Sequence, residues 1–119
     1  MLPIVKLENH VAGDTWQGIP VIGPILINGL PPASPAERVR LTLRKVPAAT
    51  GAEKIFDSGL GNITIVNAAT WEASIPEVPF ANFTLPEGRY EGHLEFTDTA
   101  GVRLTTHEIH LSILEDKTP

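Results

Sequence analysis

The chain has 119 residues, 42% of them hydrophobic and 19% charged, which is apolar enough for one packed core and excludes a disordered chain. It has no cysteine, so disulfides and thiolate metal sites are excluded. A net charge of −5 disfavours nucleic acid and anionic membranes as partners, because both reward a basic face.

The N-terminal residues lack the basic segment and long apolar run of a secretory signal, so synthesis without secretion is expected. Residues 2–8 alternate weakly and read as a first strand. Pro3 puts it at a sheet edge, because proline cannot donate to a ladder. Residues 10–14 read as a turn and residues 15–22 as a second strand carrying Trp16. Gly23-Pro24 breaks that run, residues 25–27 resume it, and Asn28-Gly29 is a tight-turn signal. Residues 30–36, with three prolines, read as a loop. Residues 39–46 have the clearest period of two, with Val39, Leu41 and Leu43 inward and Arg40, Thr42 and Arg44 outward. Shorter strands follow at 54–57, 62–66 and 71–75, separated by turns at 58–61 and 67–70. Residues 89–97 put Tyr90, Leu94 and Phe96 inward and Glu91, His93 and Glu95 outward.

The last strand, 102–114, changes phase. Val102 and Leu104 share one parity, whereas Ile109, Leu111 and Ile113 share the other. A β-bulge or sheet switch is therefore expected between Leu104 and Ile109. No segment keeps a helical apolar period over three turns. The expectation is all-β: one immunoglobulin-like antiparallel β-sandwich of seven to eight strands spanning 1–119, without a disulfide and with a flexible tail at 115–119.

The segment Leu85-Pro-Glu-Gly-Arg-Tyr90 is the strongest fold signal. Its Leu85, Gly88 and Tyr90 have the spacing of a tyrosine corner, in which the hydroxyl bonds back to upstream backbone. In such a topology the strands of Arg40 and Glu91 are neighbours. Arg40 and Arg44 are then expected near Glu91 and Glu95 on the exposed face, with Arg38 and Lys45 extending the basic stripe.

Two patches resemble a family of small immunoglobulin-like domains in tailed-phage baseplates, tail fibres and prophage structural proteins. One is Ala12-Gly-Asp-Thr-Trp16, with Ala12 where that family usually has Arg. The other is Leu85-Pro-Glu-Gly-Arg-Tyr90 with Leu94-Glu-Phe96 and Asp98-Thr-Ala-Gly101. The strand at 38–45 sits where the family has its arginine-containing strand. The sequence departs from antibody domains: Gly92 stands where they carry a cysteine, and the strand at 39–46 has no Trp. The resemblance implies a non-enzymatic virion structural protein of the tail, baseplate or fibre, made in the host cytoplasm. It would dock on other virion proteins, as a homo-oligomer or within a symmetric assembly. The alternatives are a capsid decoration protein that stabilises the head, and a carbohydrate or cell-surface binding module.

No catalytic residue, metal ligand or cofactor is expected. His107-Glu-Ile-His110 spaces its histidines three apart on a strand, hence on opposite faces, unlike the helical zinc motif with histidines four apart; a bulge could bring them together, with His93 on the neighbouring strand, but polar residues on a sheet edge or beside the bulge are the expected reading. Asp14 reads as a turn residue. Glu87, Glu91 and Glu95 lie on a solvated strand face without the cleft a glycosidase needs. The serines fall in no nucleophile pattern. Asn62-Ile-Thr64 and Asn82-Phe-Thr84 match a glycosylation acceptor but lack a secretory route. Trp16 and Trp71 are expected in the core. The candidate interface is the proline-broken apolar stretch with Ile19, Val21, Ile22, Ile25, Leu26 and Leu30, more apolar than one half-buried strand requires.

Overall fold

A computed structural model describes residues 2–11, 14, 16, 18–47, 53–75 and 85–115. Nine strands occur among them: β1 Ile4–Lys6, β2 His10–Val11, β3 Ile19–Ile22, β4 Ala36–Val46, β5 Glu53–Asp57, β6 Thr64–Asn67, β7 Glu72–Ile75, β8 Gly88–Asp98 and β9 Arg103–Leu114. The only helical element described is a 3-10 turn, Ser58–Leu60. The larger sheet has the order β1-β9-β8-β4-β5, with β2 also on β9; the smaller has the order β3-β7-β6. Counting β1 and β2 as one interrupted edge gives eight strands.

The edge differs from expectation in two ways. β1 and β2 run parallel to β9, whereas every other strand pair is antiparallel. His10 and Val11, read as a turn, pair with Ile113 and Leu114. A two-residue strand leaves no periodicity to read; the long partner β9 supplies the pairing. β4 begins at Ala36, inside the segment read as a loop, and continues past a register shift between Ala36 and Arg38. Pro35 lies just outside the ladder, and its carbonyl accepts from Thr99 N–H at 3.1 Å.

The sheets share one core. Val39, Leu41 and Leu43 of β4, Tyr90, Leu94 and Phe96 of β8, and Ile109, Leu111 and Ile113 of β9 are all buried. The smaller sheet contributes Ile19, Ile22, Ala73 and Ile75. Two aromatic pairs join residues beside the smaller sheet to the larger one. Trp71 stacks on Phe96 with centroids 5.4 Å apart, and Trp16 on Phe56 at 6.5 Å. Trp71 also donates its indole N–H to Ser34 O at 2.9 Å, so its polar atom is satisfied in the core.

The phase change in β9 is a bulge. Leu94 pairs with His107 but Glu95 pairs with Thr105, leaving Thr106 as the extra residue. Thr106 turns into the protein, while Val102 and Leu104 before it stay exposed. The final residues 116–119, read as tail, lie outside the described residues.

Candidate functional site

The tyrosine corner organises the entry to β8. Tyr90 is fully buried, and its hydroxyl donates to Pro86 O at 2.7 Å. Burial pushes the phenol pKa upward. Leu85 is buried beside it, and Gly88 holds φ at 143°, with a Cβ there meeting Lys45 Cε at 2.6 Å. These residues fix the corner.

The outer face of the larger sheet carries the charges. Arg40 stands opposite Glu95 and Arg44 opposite Glu91 in the β4–β8 register. The ion pairs nevertheless form elsewhere. Arg44 Nε reaches Glu53 Oε2 at 2.8 Å, and Arg40 Nε lies 3.4 Å from Asp57 Oδ2. Arg38 pairs closely with Asp57. Glu91 is held by Arg89 of its own strand, and Glu95 lies 3.9 Å from Arg103. The physical reason is that β4 is central: β5 presents Asp57 opposite Arg40 and Glu53 opposite Arg44 on its other flank. Sequence reasoning weighed only the β8 neighbour.

Asp57 is the most deeply embedded of these charges. The Arg38 guanidinium holds its carboxyl down to about 2, helped by the Gly59 N–H and by Arg40, against the opposing effect of burial. Its Oδ1 accepts from Gly59 N–H at 2.9 Å and so caps the 3-10 turn. Asn62 completes the corner, accepting from Asp57 N–H at 2.7 Å and donating to Ile55 O at 2.9 Å. The Asn62 amide is thereby committed to structure.

The same face has a shallow open trough of about 520 Å³, lined by Arg40, Thr42, Arg44, Glu91, His93 and Glu108 among others. Here sequence reasoning missed a cluster. Glu91 pairs across the hairpin with His110, and His93 with Glu108. Donor atoms of Glu91, Glu108 and His110 all lie within 4.8 Å of one another. His107 lies on the other parity, opposite Leu94, with Nδ1 2.9 Å from Thr106 Oγ1; burial lowers its pKa. The signal available in sequence was the pair Glu91-x-His93 and Glu108-x-His110, acid and imidazole two apart on both strands of one hairpin. Reading it needs the register, which the bulge conceals.

The candidate interface divides. Ile19, Ile22 and Ile25 belong to the core, whereas Val21, Leu26 and Leu30 are 49%, 61% and 67% exposed. Asn28 and Gly29, both at positive φ, make a two-residue turn closed by reciprocal backbone bonds between Ile27 and Leu30. The small hairpin therefore packs Ile25 and Ile27 on the core and leaves Leu26 and Leu30 in solvent. Asp14 N–H donates to Val11 O at 3.0 Å; Gly13 and Thr15 of the Gly-Asp-Thr-Trp patch, and Asn82, lie outside the described residues.

No family model, no curated protein and no solved structure matches the chain.

Proposed function

We propose that this protein is a non-enzymatic structural module of a tailed-phage or prophage particle, docking by protein–protein contact in the tail, baseplate or fibre. The observation that carries the reading is the exposed apolar stretch from β3 to the hairpin. Three large aliphatic side chains, Val21 of β3 and Leu26 and Leu30 at the hairpin, are solvent-facing between residues 21 and 30, and exposed apolar patches mark protein contact sites. The strand order supports an immunoglobulin-like assignment, with β9, β8 and β4 together in one sheet and β3, β7 and β6 in the other. The Leu85, Gly88, Tyr90 corner and the Gly-Asp-Thr-Trp patch tie that fold to the phage domains it resembles. On this reading the partners are other virion proteins or further copies of the chain, and the protein resides in the virion.

Capsid decoration shares this chemistry and differs only in the particle surface covered. A sugar-binding module is less well supported. Trp16, Trp71, Tyr90, Phe56 and Phe96 are all buried, which leaves no described aromatic ring free to stack on a sugar.

The test is solution mass by light scattering over a concentration series, for the wild type and for the double variant Leu26→Asp, Leu30→Asp. A discrete trimer or hexamer that the double variant reduces to monomer, with unchanged unfolding, is the expected result. A wild-type monomer at every concentration overturns the self-assembling form. An oligomer indifferent to the double variant overturns the hairpin as its contact.

A further inference from the structure

We infer that the outer face of the β8–β9 hairpin is a binding site for a borderline divalent cation of the zinc class, held by Glu91, Glu108 and His110 with His93 beside them. The four residues form a two-by-two block: Glu91 opposite His110 and His93 opposite Glu108. Residues two apart on a strand share a face, so all four side chains rise from one side of the sheet. His110 Nε2 lies 3.5 Å from Glu108 Oε2, and His93 Nε2 lies 4.0 Å from Glu108 Oε1. Tetrahedral zinc with bonds of about 2.0–2.1 Å to nitrogen and oxygen sets its ligands about 3.3 Å apart. The His110–Glu108 pair is already near that spacing, and the donor atoms of Glu91, Glu108 and His110 all lie within 4.8 Å of one another.

A second observation separates this block from ordinary charge alternation. His110 Nε2 is sealed from solvent and has no hydrogen-bond partner, although the rest of the ring keeps about a quarter of its surface. Its nearest carboxylate oxygen, Glu108 Oε2, stands at 3.5 Å without a hydrogen bond between them. A buried polar atom without a partner is costly. A metal ion that accepts its lone pair removes that cost. The carboxylates are also prepared. Both Arg89 contacts fall on Glu91 Oε2, so the arginine orients the group from behind in the manner of an outer-shell partner. Two imidazoles and two carboxylates, with no thiolate, suit zinc among common divalent ions and are too nitrogen-rich for calcium or magnesium. Lys6, opposite His110 on β1, bounds the site with a competing positive charge.

The experiment uses the full chain without a polyhistidine tag, titrated at pH 7.5 with Zn²⁺ by calorimetry and with Co²⁺ by visible absorption. The expected result is one saturable Zn²⁺ equivalent and a Co²⁺ spectrum of tetrahedral intensity. His110→Gln and Glu108→Gln should each weaken binding roughly tenfold or more. His107→Gln, on the same strand but the other parity, should leave it unchanged. The far-ultraviolet dichroism of each variant establishes that it is folded. Absence of saturable binding by the wild type overturns the inference. So does binding that survives His110→Gln in a folded protein, or that is lost with His107→Gln. None of these outcomes depends on the virion reading.

Discussion

Asp57 joins Arg38 to the 3-10 turn through one buried carboxylate, and pH should reveal what its charge contributes to stability. Its folded pKa, about 2, lies below the ordinary aspartate value of 3.8. A depressed carboxylate contributes stability that is fully present above the unfolded pKa and is lost as pH falls through the folded one. The shift alone corresponds to about 2.4 kcal/mol; because Arg38 is half exposed, screening reduces it to about 1–2 kcal/mol. Asp57→Asn should therefore lower the urea unfolding free energy by about that amount at pH 7. The difference should vanish between roughly pH 4 and pH 2. A variant whose deficit persists unchanged at pH 2 would show that the carboxylate's charge is not the cause. Tyr90 gives an independent check: Tyr90→Phe keeps the ring and removes the bond to Pro86 O, so a loss of about 1 kcal/mol is expected in the same assay. Equal midpoints for Tyr90→Phe and wild type would mean that the corner's hydrogen bond adds nothing. The Tyr90 corner was legible because its partner is four residues away. Asp57 was not, because its value depends on Arg38 and Arg40 across a strand pair that no local pattern discloses.

At the scale of elements, the β4–β8 pairing depends on a residue with no side chain. Gly92 lies between Tyr90 and Leu94, and a Cβ there would sit 2.1 Å from Thr42 O, a backbone atom that cannot move aside alone. Gly92→Ala must force the two central strands apart, and a cost of about 3 kcal/mol or more is expected. Gly101 provides the contrast. It has φ 83° in the β8–β9 turn, but nothing lies within 4 Å of its added Cβ. Gly101→Ala should cost only about 1–2 kcal/mol, from backbone strain. Thermal unfolding of the two variants side by side tests this ordering; a milder effect at Gly92 than at Gly101 would refute the close approach. The long strands were readable because Leu41, Leu94 and Ile109 sit in unbroken periods of two, and the bulge because the period itself shifts. The first strand was readable as an edge piece within residues 2–8, where β1 lies, but the two-residue β2 and the parallel sense of both pairings come from β9 and leave no comparable trace. The Glu91–His110 and His93–Glu108 juxtaposition was lost for a related reason: the alternation is visible, but the one-residue bulge sets which pairs meet.

For the whole molecule, the central strands and the hairpin should respond differently to concentration, and hydrogen exchange can separate them. β4, β8 and β9 carry the buried centre, so the amides of Leu41, Leu94 and Ile109 should exchange only through global unfolding. Lys6 sits on a three-residue edge strand and should exchange through smaller openings. The hairpin around Asn28 and Gly29 is anchored to the sandwich by Ile25 N–H donating to Thr70 O and by Ile27 packing on the core, and leaves Leu26 and Leu30 exposed. In a monomer Leu26 has no ladder to protect it, so its amide should exchange rapidly. If the hairpin is the docking element, Leu26 protection should rise with protein concentration, while Leu41, Leu94 and Ile109 keep the rates set by global stability. Protection rising uniformly across the chain would indicate that association stabilises the whole fold without engaging this surface. Protection at Leu26 that is high and constant at all dilutions would mean that the hairpin is closed within the monomer, and the exposed leucines would then not be its contact surface.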